Sequence, residues 1–193
     1  MESQTIAVFI DAGNLWSSYK ELGKLLAFEK LTDFISKKFG APVSNVFYYV
    51  ANPKEGTRPK EDIDKLHRFL TFLKKGLGFV IVKKELKTIY LRDNDGNILY
   101  DALDKPESRE KGNFDVEITI DALRNLLSYE TAIFFTGDSD FLPLIQYLQK
   151  SGKKVYIFST KGCVSSELRT GGDGYFDLLY CTELHGSNLM NKK

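Results

Sequence analysis

Much that would betray a function at a glance is missing from this chain of 193 residues. Cysteine is almost absent: Cys163 and Cys181 make neither a disulfide framework nor a zinc site of the usual spacing. They are expected to be two reduced thiols. No apolar stretch approaches the length needed to cross a bilayer. The opening residues, Met1-Glu2-Ser3-Gln4-Thr5, lack the basic segment and apolar run of a secretory leader. A cytoplasmic protein with no membrane partner is the expectation. The formal net charge is only +1, so any contact with nucleic acid must come from local basic patches beside acidic chemistry. Histidine is scarce, and neither His67 nor His185 receives a role. No glycine-rich phosphate loop follows the first apolar run and no Walker-type lysine is present, which argues against a nucleotide-binding α/β protein. Repeats, low-complexity tracts and domain-splitting linkers are missing too. One domain, residues 1–193 with a core of about 5–181, is expected.

What the chain does have is a series of short apolar runs. They are Ile6–Ile10, Val46–Val50, Phe79–Val82, Ala132–Thr136 and Val155–Phe158. None alternates between polar and apolar, so each fits a strand covered on both faces. Residues at helical spacing separate them: Leu22 to Phe39, then Ile63, Leu66, Phe69, Leu70 and Leu73 before Gly76. Val116, Ile120, Leu123 and Leu127 form the apolar stripe of the next helix. Phe141, Leu144, Ile145 and Leu148 form the last, closed by Gly152. This alternation predicts an open, mainly parallel α/β sheet with helices on both faces and strand order 3-2-1-4-5. Residues 86–101 interrupt it: Leu86–Leu91 and Asn97–Asp101 flank the turn signal Asn94-Asp95-Gly96, which predicts an inserted β-hairpin. Asp104–Asn113 is expected to be a polar loop.

Function in such a sheet gathers beyond the carboxyl ends of the strands, where strand order reverses. Asp11 follows the first run directly, and Asp138 and Asp140 follow the fourth. Asp115 opens the helix that feeds the fourth strand. That helix runs antiparallel to its strand, so its start lies at the same edge. Singly, Asp115 and Asp140 fit ordinary helix caps. Together the acids would repel one another, and a divalent cation offsets that repulsion. Hard oxygen ligands without His or Cys point to Mg²⁺ or Mn²⁺. Asp121 falls on the helix face of Glu117, Arg124 and Ser128, and is expected to be solvated.

At these residues the chain resembles the NYN family, a LabA-like branch of the PIN-like nucleases. The matching blocks are Val8-Phe9-Ile10-Asp11-Ala12-Gly13-Asn14-Leu15, Lys111-Gly112-Asn113-Phe114-Asp115-Val116 and Thr136-Gly137-Asp138-Ser139-Asp140-Phe141-Leu142-Pro143-Leu144, followed by Gly152-Lys153-Lys154-Val155. The resemblance covers roughly residues 5–180. It implies a Rossmann-like fold and metal-dependent RNA cleavage. It carries over Asp11, Asp115 and Asp138 as metal-binding acids, Asn14 as companion of Asp11, and Asp140 as an outer acid. It also places an acid where Asp121 stands, so Asp121 joins Lys111 in a second rank. A homodimer is a further expectation. Ala12 stands where many relatives carry glycine, and Asn113-Phe114 adds a residue before the acid. The hairpin is outside the family pattern.

The expected activity is therefore ribonuclease, with RNA steered by Lys54, Arg58, Lys60, Lys84, Arg109 and Lys111. Trp16, Tyr90 and Tyr100 are expected to be packed rather than to stack on bases. Two rivals share the pattern: a non-catalytic binding module of the same fold, and a phosphohydrolase acting on small molecules. Gly13 removes the Asp-x-Asp nucleophile motif that the latter would carry.

Overall fold

Strand β1 (Ile6–Asp11) carries five consecutive apolar residues, all at most 1% exposed. Such a strand has no polar face to turn to water, so both of its faces must be covered. Its side chains alternate, and the two sets enter different cores. Ile6, Val8 and Ile10 pack with α1 (Ala12–Leu22), α2 (Leu31–Phe39) and α3 (Lys60–Thr71). Ala7 and Phe9 pack with α4 (Asp115–Arg124), α5 (Leu142–Lys150) and α6 (Ser166–Gly171). Phe9 lies between Phe47 and Phe134, with ring centroids 5.2 and 5.0 Å away.

This arrangement comes from a computed structural model, which describes residues 4–53, 56–101 and 103–189. The remaining strands are β2 (Lys24–Leu26), β3 (Val43–Asn52), β4 (Val80–Glu85), β5 (Lys87–Tyr90), β6 (Ser108–Lys111), β7 (Thr131–Phe135), β8 (Lys154–Ser159), β9 (Gly174–Asp177) and β10 (His185–Asn188). The main sheet is parallel with order β4-β3-β1-β7-β8-β9. Its first five members reproduce the order expected from the sequence. The sixth, β9, went unpredicted, because Gly174-Tyr175-Phe176-Asp177 is too short to stand out as an apolar run. Near the C-terminal end β10 pairs antiparallel with β2, and a His185 ring nitrogen sits 2.9 Å from the Leu178 carbonyl oxygen. Among the described residues no helix is long and apolar enough to cross a membrane.

The insertion is more elaborate than one hairpin. Strand β5 pairs with β6, not with Asn97–Asp101, so Ser108–Lys111 of the expected loop is strand. Beyond this ladder the arm forks. Leu91 N–H donates to Glu107, Glu107 N–H to Leu99, and Leu99 N–H to Leu91, a closed ring of three backbone bonds at 2.8–2.9 Å. Each branch ends in the same aspartate-capped turn. Asp93 Oδ1 accepts from the N–H groups of Asp95 and Asn97, and Asp101 Oδ1 from those of Leu103 and Lys105. Both turns need a left-handed residue three places on. The first uses Gly96, the second Asp104 at φ 57°. Only the first carries the glycine that marks such a turn in sequence.

Helix α4 corrects another expectation. Its buried face is Ile118 and Ala122, entered from Phe114 and left through Tyr129, all at most 3% exposed. The expected stripe is outward: Val116 is 65% exposed, Ile120 46%, Leu123 39% and Leu127 95%. Ile118 and Ala122 pack in the cluster that holds Phe9, Phe47, Tyr49 and Phe134 of the sheet, and the expected stripe takes no part in it. Ile118→Ala is therefore expected to cost about 2–5 kcal/mol of stability. Leu127→Ser should change stability by less than about 0.5 kcal/mol. Urea unfolding of the two variants checks this, and comparable losses would refute the assignment of faces.

Candidate metal centre

The switch in strand order falls between β1 and β7; Asp11 ends β1, and Asp138 lies three residues beyond the end of β7. Asp11 closes β1 and caps α1. Its Oδ1 accepts from Gly13 N (2.9 Å) and Asn14 N (3.3 Å), and its Oδ2 from Asn14 Nδ2 (2.7 Å). The other end of the same amide, Asn14 Oδ1, accepts from Gly137 N at 3.2 Å. Asn14 thus ties the acid after β1 to the loop after β7. Across that loop, Asp138 caps the helical turn Ser139–Phe141 by accepting from Asp140 N at 3.0 Å.

Asp115 arrives from the third side as the first residue of α4. Asn113 holds it reciprocally: its Nδ2 donates to Asp115 Oδ2 (2.6 Å) and its Oδ1 accepts from Asp115 N (2.7 Å). Carboxylate oxygens of Asp115, Asp138 and Asp140 lie within 4.8 Å of one another. Asp11 is outside this trio but lines the same cleft as Asp115 and Asp138, a space of about 310 Å³ with Ser17 and Asn113 on its walls. The trio is a hard-oxygen donor set that fits a divalent cation, with Asp11 on the wall of the adjoining cleft.

The electrostatics agree with that donor set. Burial raises the Asp11 carboxyl above its usual range; hydrogen bonds from Asn14 and Gly13 offset part of this, and Asp138 adds repulsion. Burial also raises Asp115, the Asn113 amide works against it, and Asp138, Asp11 and Asp140 push it up further. A raised carboxyl keeps its proton in the folded state after the unfolded chain has lost its own. Its contribution to stability therefore falls as pH rises from the unfolded value of 3.8 through the raised one, and the penalty is full above. Asp115→Asn keeps an oxygen for Asn113 and removes the charge. In EDTA, its melting temperature should exceed that of the wild type at neutral pH and converge with it as pH falls towards 3.8. A constant gap across the titration would refute the charge of Asp115, disfavoured first by burial and then by its acidic neighbours, as the cause.

Other expected residues fall elsewhere. Asp121 is not solvated: Tyr49 donates to its Oδ2 at 3.0 Å, and its side chain is 19% exposed. It lies outside the acid trio and braces α4 on β3. Lys84 is held by Glu117 at 2.6 Å and by the Asn113 carbonyl at 3.2 Å, so it supports the loop that presents Asp115. Arg58 pairs with Glu110 of β6, and Lys60 opens α3. Lys54 lies outside the described residues, as do the side chains of Arg109 and Lys111, whose backbone belongs to β6. Trp16, Tyr90 and Tyr100 are about half exposed, contrary to the expectation of packing. Asn113 went unassigned in sequence; the Asn-x-Asp spacing of an amide bonding two residues on was its one signal.

An open parallel sheet with an acid cluster at its switch point defines a nuclease-like α/β protein of the PIN-like kind. The chain belongs to the NYN domain family, which it matches over residues 5–179. It is 25% identical over 173 residues to the Low amplitude and bright protein LabA of Synechococcus elongatus (strain ATCC 33912 / PCC 7942 / FACHB-805), spanning 90% of this chain and 83% of that protein. In fold it is similar to VPA0982, a protein of unknown function from Vibrio parahaemolyticus RIMD 2210633. That likeness has a TM-score of 0.64 and 21% identity, and covers 91% of this chain and 93% of the other.

Proposed function

We propose that this protein is a ribonuclease that hydrolyses RNA phosphodiester bonds with Mg²⁺ or Mn²⁺ held by its aspartates. The observation that carries the reading is the meeting of Asp115, Asp138 and Asp140 within 4.8 Å, beside Asp11, at the mouth of a NYN-family sheet. A bound divalent ion lowers the pKa of water and polarises phosphate oxygen. Asp115 and Asp138, with Asp11 or Asp140, are the residues that would hold it. Asn14 and Asn113 fix two of the acids in place, and so position the site without touching substrate. Exposed Asp140 would orient a water from the solvent side. Lys111 and the basic residues around β3 and the arm, Lys54, Arg58, Lys60 and Arg109, are assigned to the phosphate backbone. A homodimer is proposed on family likeness alone, and sedimentation of the purified chain tests it.

Labelled single-stranded RNA, structured RNA and DNA, incubated with Mg²⁺, Mn²⁺ or EDTA, test the activity. Cleavage of RNA with either metal and none in EDTA is expected. RNA binding without cleavage in any metal would replace the enzyme by a binding module. Phosphate release from small phosphomonoesters alone would replace it by a phosphohydrolase.

A further inference from the structure

The acid cleft is not the roomiest space on this edge of the sheet. Beyond the ends of β3 and β4, against the start of α3, lies a cavity of about 620 Å³. Its walls include Asn52, Arg58, Lys60, Ile63, His67 and Glu85. A smaller space of about 220 Å³ shares Gly112 and Asn113 with the acid cleft and Glu85 with the larger cavity. Adjacent strands are ~4.8 Å apart, so the ends of β3 and β4 stand roughly 5–10 Å along the edge from the end of β1 at Asp11. That is the scale of a step to a neighbouring nucleotide.

The lining is chemically mixed in a particular way. Lys60 and Arg58 offer positive charge, set against the carboxylates of Asp64 and Glu85 on the same walls, and Glu110 of β6 pairs with Arg58 from the arm side. Ile63 offers an apolar wall. His67 and Asn52 offer donors and acceptors. Asn52 ends β3, and its Oδ1 is buried without a hydrogen-bond partner among the described residues. An unsatisfied amide of this kind costs ~1–3 kcal/mol, which a ligand able to turn the amide and pair with it recovers. An anionic group, a flat apolar ring and a polar ring edge belong together in a nucleotide. The volume is within the usual range for a small-ligand pocket.

We propose that this cavity is a nucleotide-binding subsite, which seats one nucleotide of the RNA strand while a neighbouring phosphodiester lies at the aspartates. The proposal rests on the ribonuclease reading for its substrate, but its test does not need cleavage. In EDTA, binding of the full chain to each of the four nucleoside monophosphates and to a single-stranded oligoribonucleotide is followed by NMR. The chain has two histidines. His67→Gln identifies the His67 ring signals, and His185, on β10, is the internal control. The oligonucleotide should shift the His67 signals saturably and leave His185 still. Ile63→Trp, which fills the cavity, and Lys60→Glu should each weaken oligonucleotide binding about tenfold.

Monophosphates that shift His67 as well show that the base and a single phosphate suffice. Silence from monophosphates with a response to the oligonucleotide ties the site to the strand. Either result supports the subsite. A His67 signal that moves with monophosphates but not with the oligonucleotide overturns the RNA subsite, and no movement with either overturns the cavity as a nucleotide site altogether. Nucleotide binding by a protein that cleaves nothing would sink the ribonuclease and spare the cavity. Cleavage with His67 unmoved would do the reverse.

Discussion

Asp138→Asn is expected to reduce metal-supported RNA cleavage by about 100-fold or more, which corresponds to ~2.7 kcal/mol of lost transition-state stabilisation. That is within the several kcal/mol a bound divalent ion supplies. The substitution removes one carboxylate charge from a trio whose oxygens lie within 4.8 Å. It leaves the local fold intact, because an asparagine oxygen still accepts the Asp140 N–H that caps the turn. Relief of repulsion among the remaining acids should hold the melting temperature of the metal-free protein level or raise it. Lost activity and retained stability together separate a ligand from a structural residue. Wild-type cleavage by the variant would remove Asp138 from the site.

Gly137→Ala should damage both properties. A Cβ at Gly137 would stand inside the Cys163 carbonyl and 3.0 Å from Val164 Cα. All of these are backbone atoms, so no side chain can swing aside. Gly137 also donates to Asn14 and accepts from Ser165 N at 2.9 Å, which fixes its position from both sides. Overpacking of this kind costs ~1–3 kcal/mol. For a chain of this size that lowers the melting point by roughly 2–12 °C. Asp138 is the next residue, and a displacement of ~1 Å at a reacting site costs ~100-fold in rate. Cys163→Ala should not rescue the variant, since the clash is with a carbonyl that alanine retains. Calorimetry and the cleavage assay on the single and double variants check this. Full activity in Gly137→Ala would show that the loop yields freely.

The acids were readable in sequence for a simple reason. Asp11, Asp138 and Asp140 directly follow runs of apolar residues, and a chain leaving a buried parallel strand has one edge at which to surface. Asp115 needed only the antiparallel course of a crossover helix. Helix α4 was misread because its apolar residues outnumber the places the sheet offers. Periodicity picks out Val116, Ile120, Leu123 and Leu127, whereas close packing selects Ile118 and Ala122. The error carried Asp121 with it, and its hydrogen bond to Tyr49 became visible only with α4 set on β3.

By itself the sequence determined the parallel order of five strands and the edge of the sheet to which Asp11, Asp115, Asp138 and Asp140 come. These follow from local patterning, since a two-faced apolar run and the residue after it carry their meaning wherever the chain goes. Tertiary structure decided which three carboxylates crowd together, why Asn14 and Asn113 stand beside them, and how the arm forks. It also decided that a cavity larger than the acid cleft opens beside the site. Those properties depend on distances between segments remote in sequence, which are set by how closely each helix approaches the sheet.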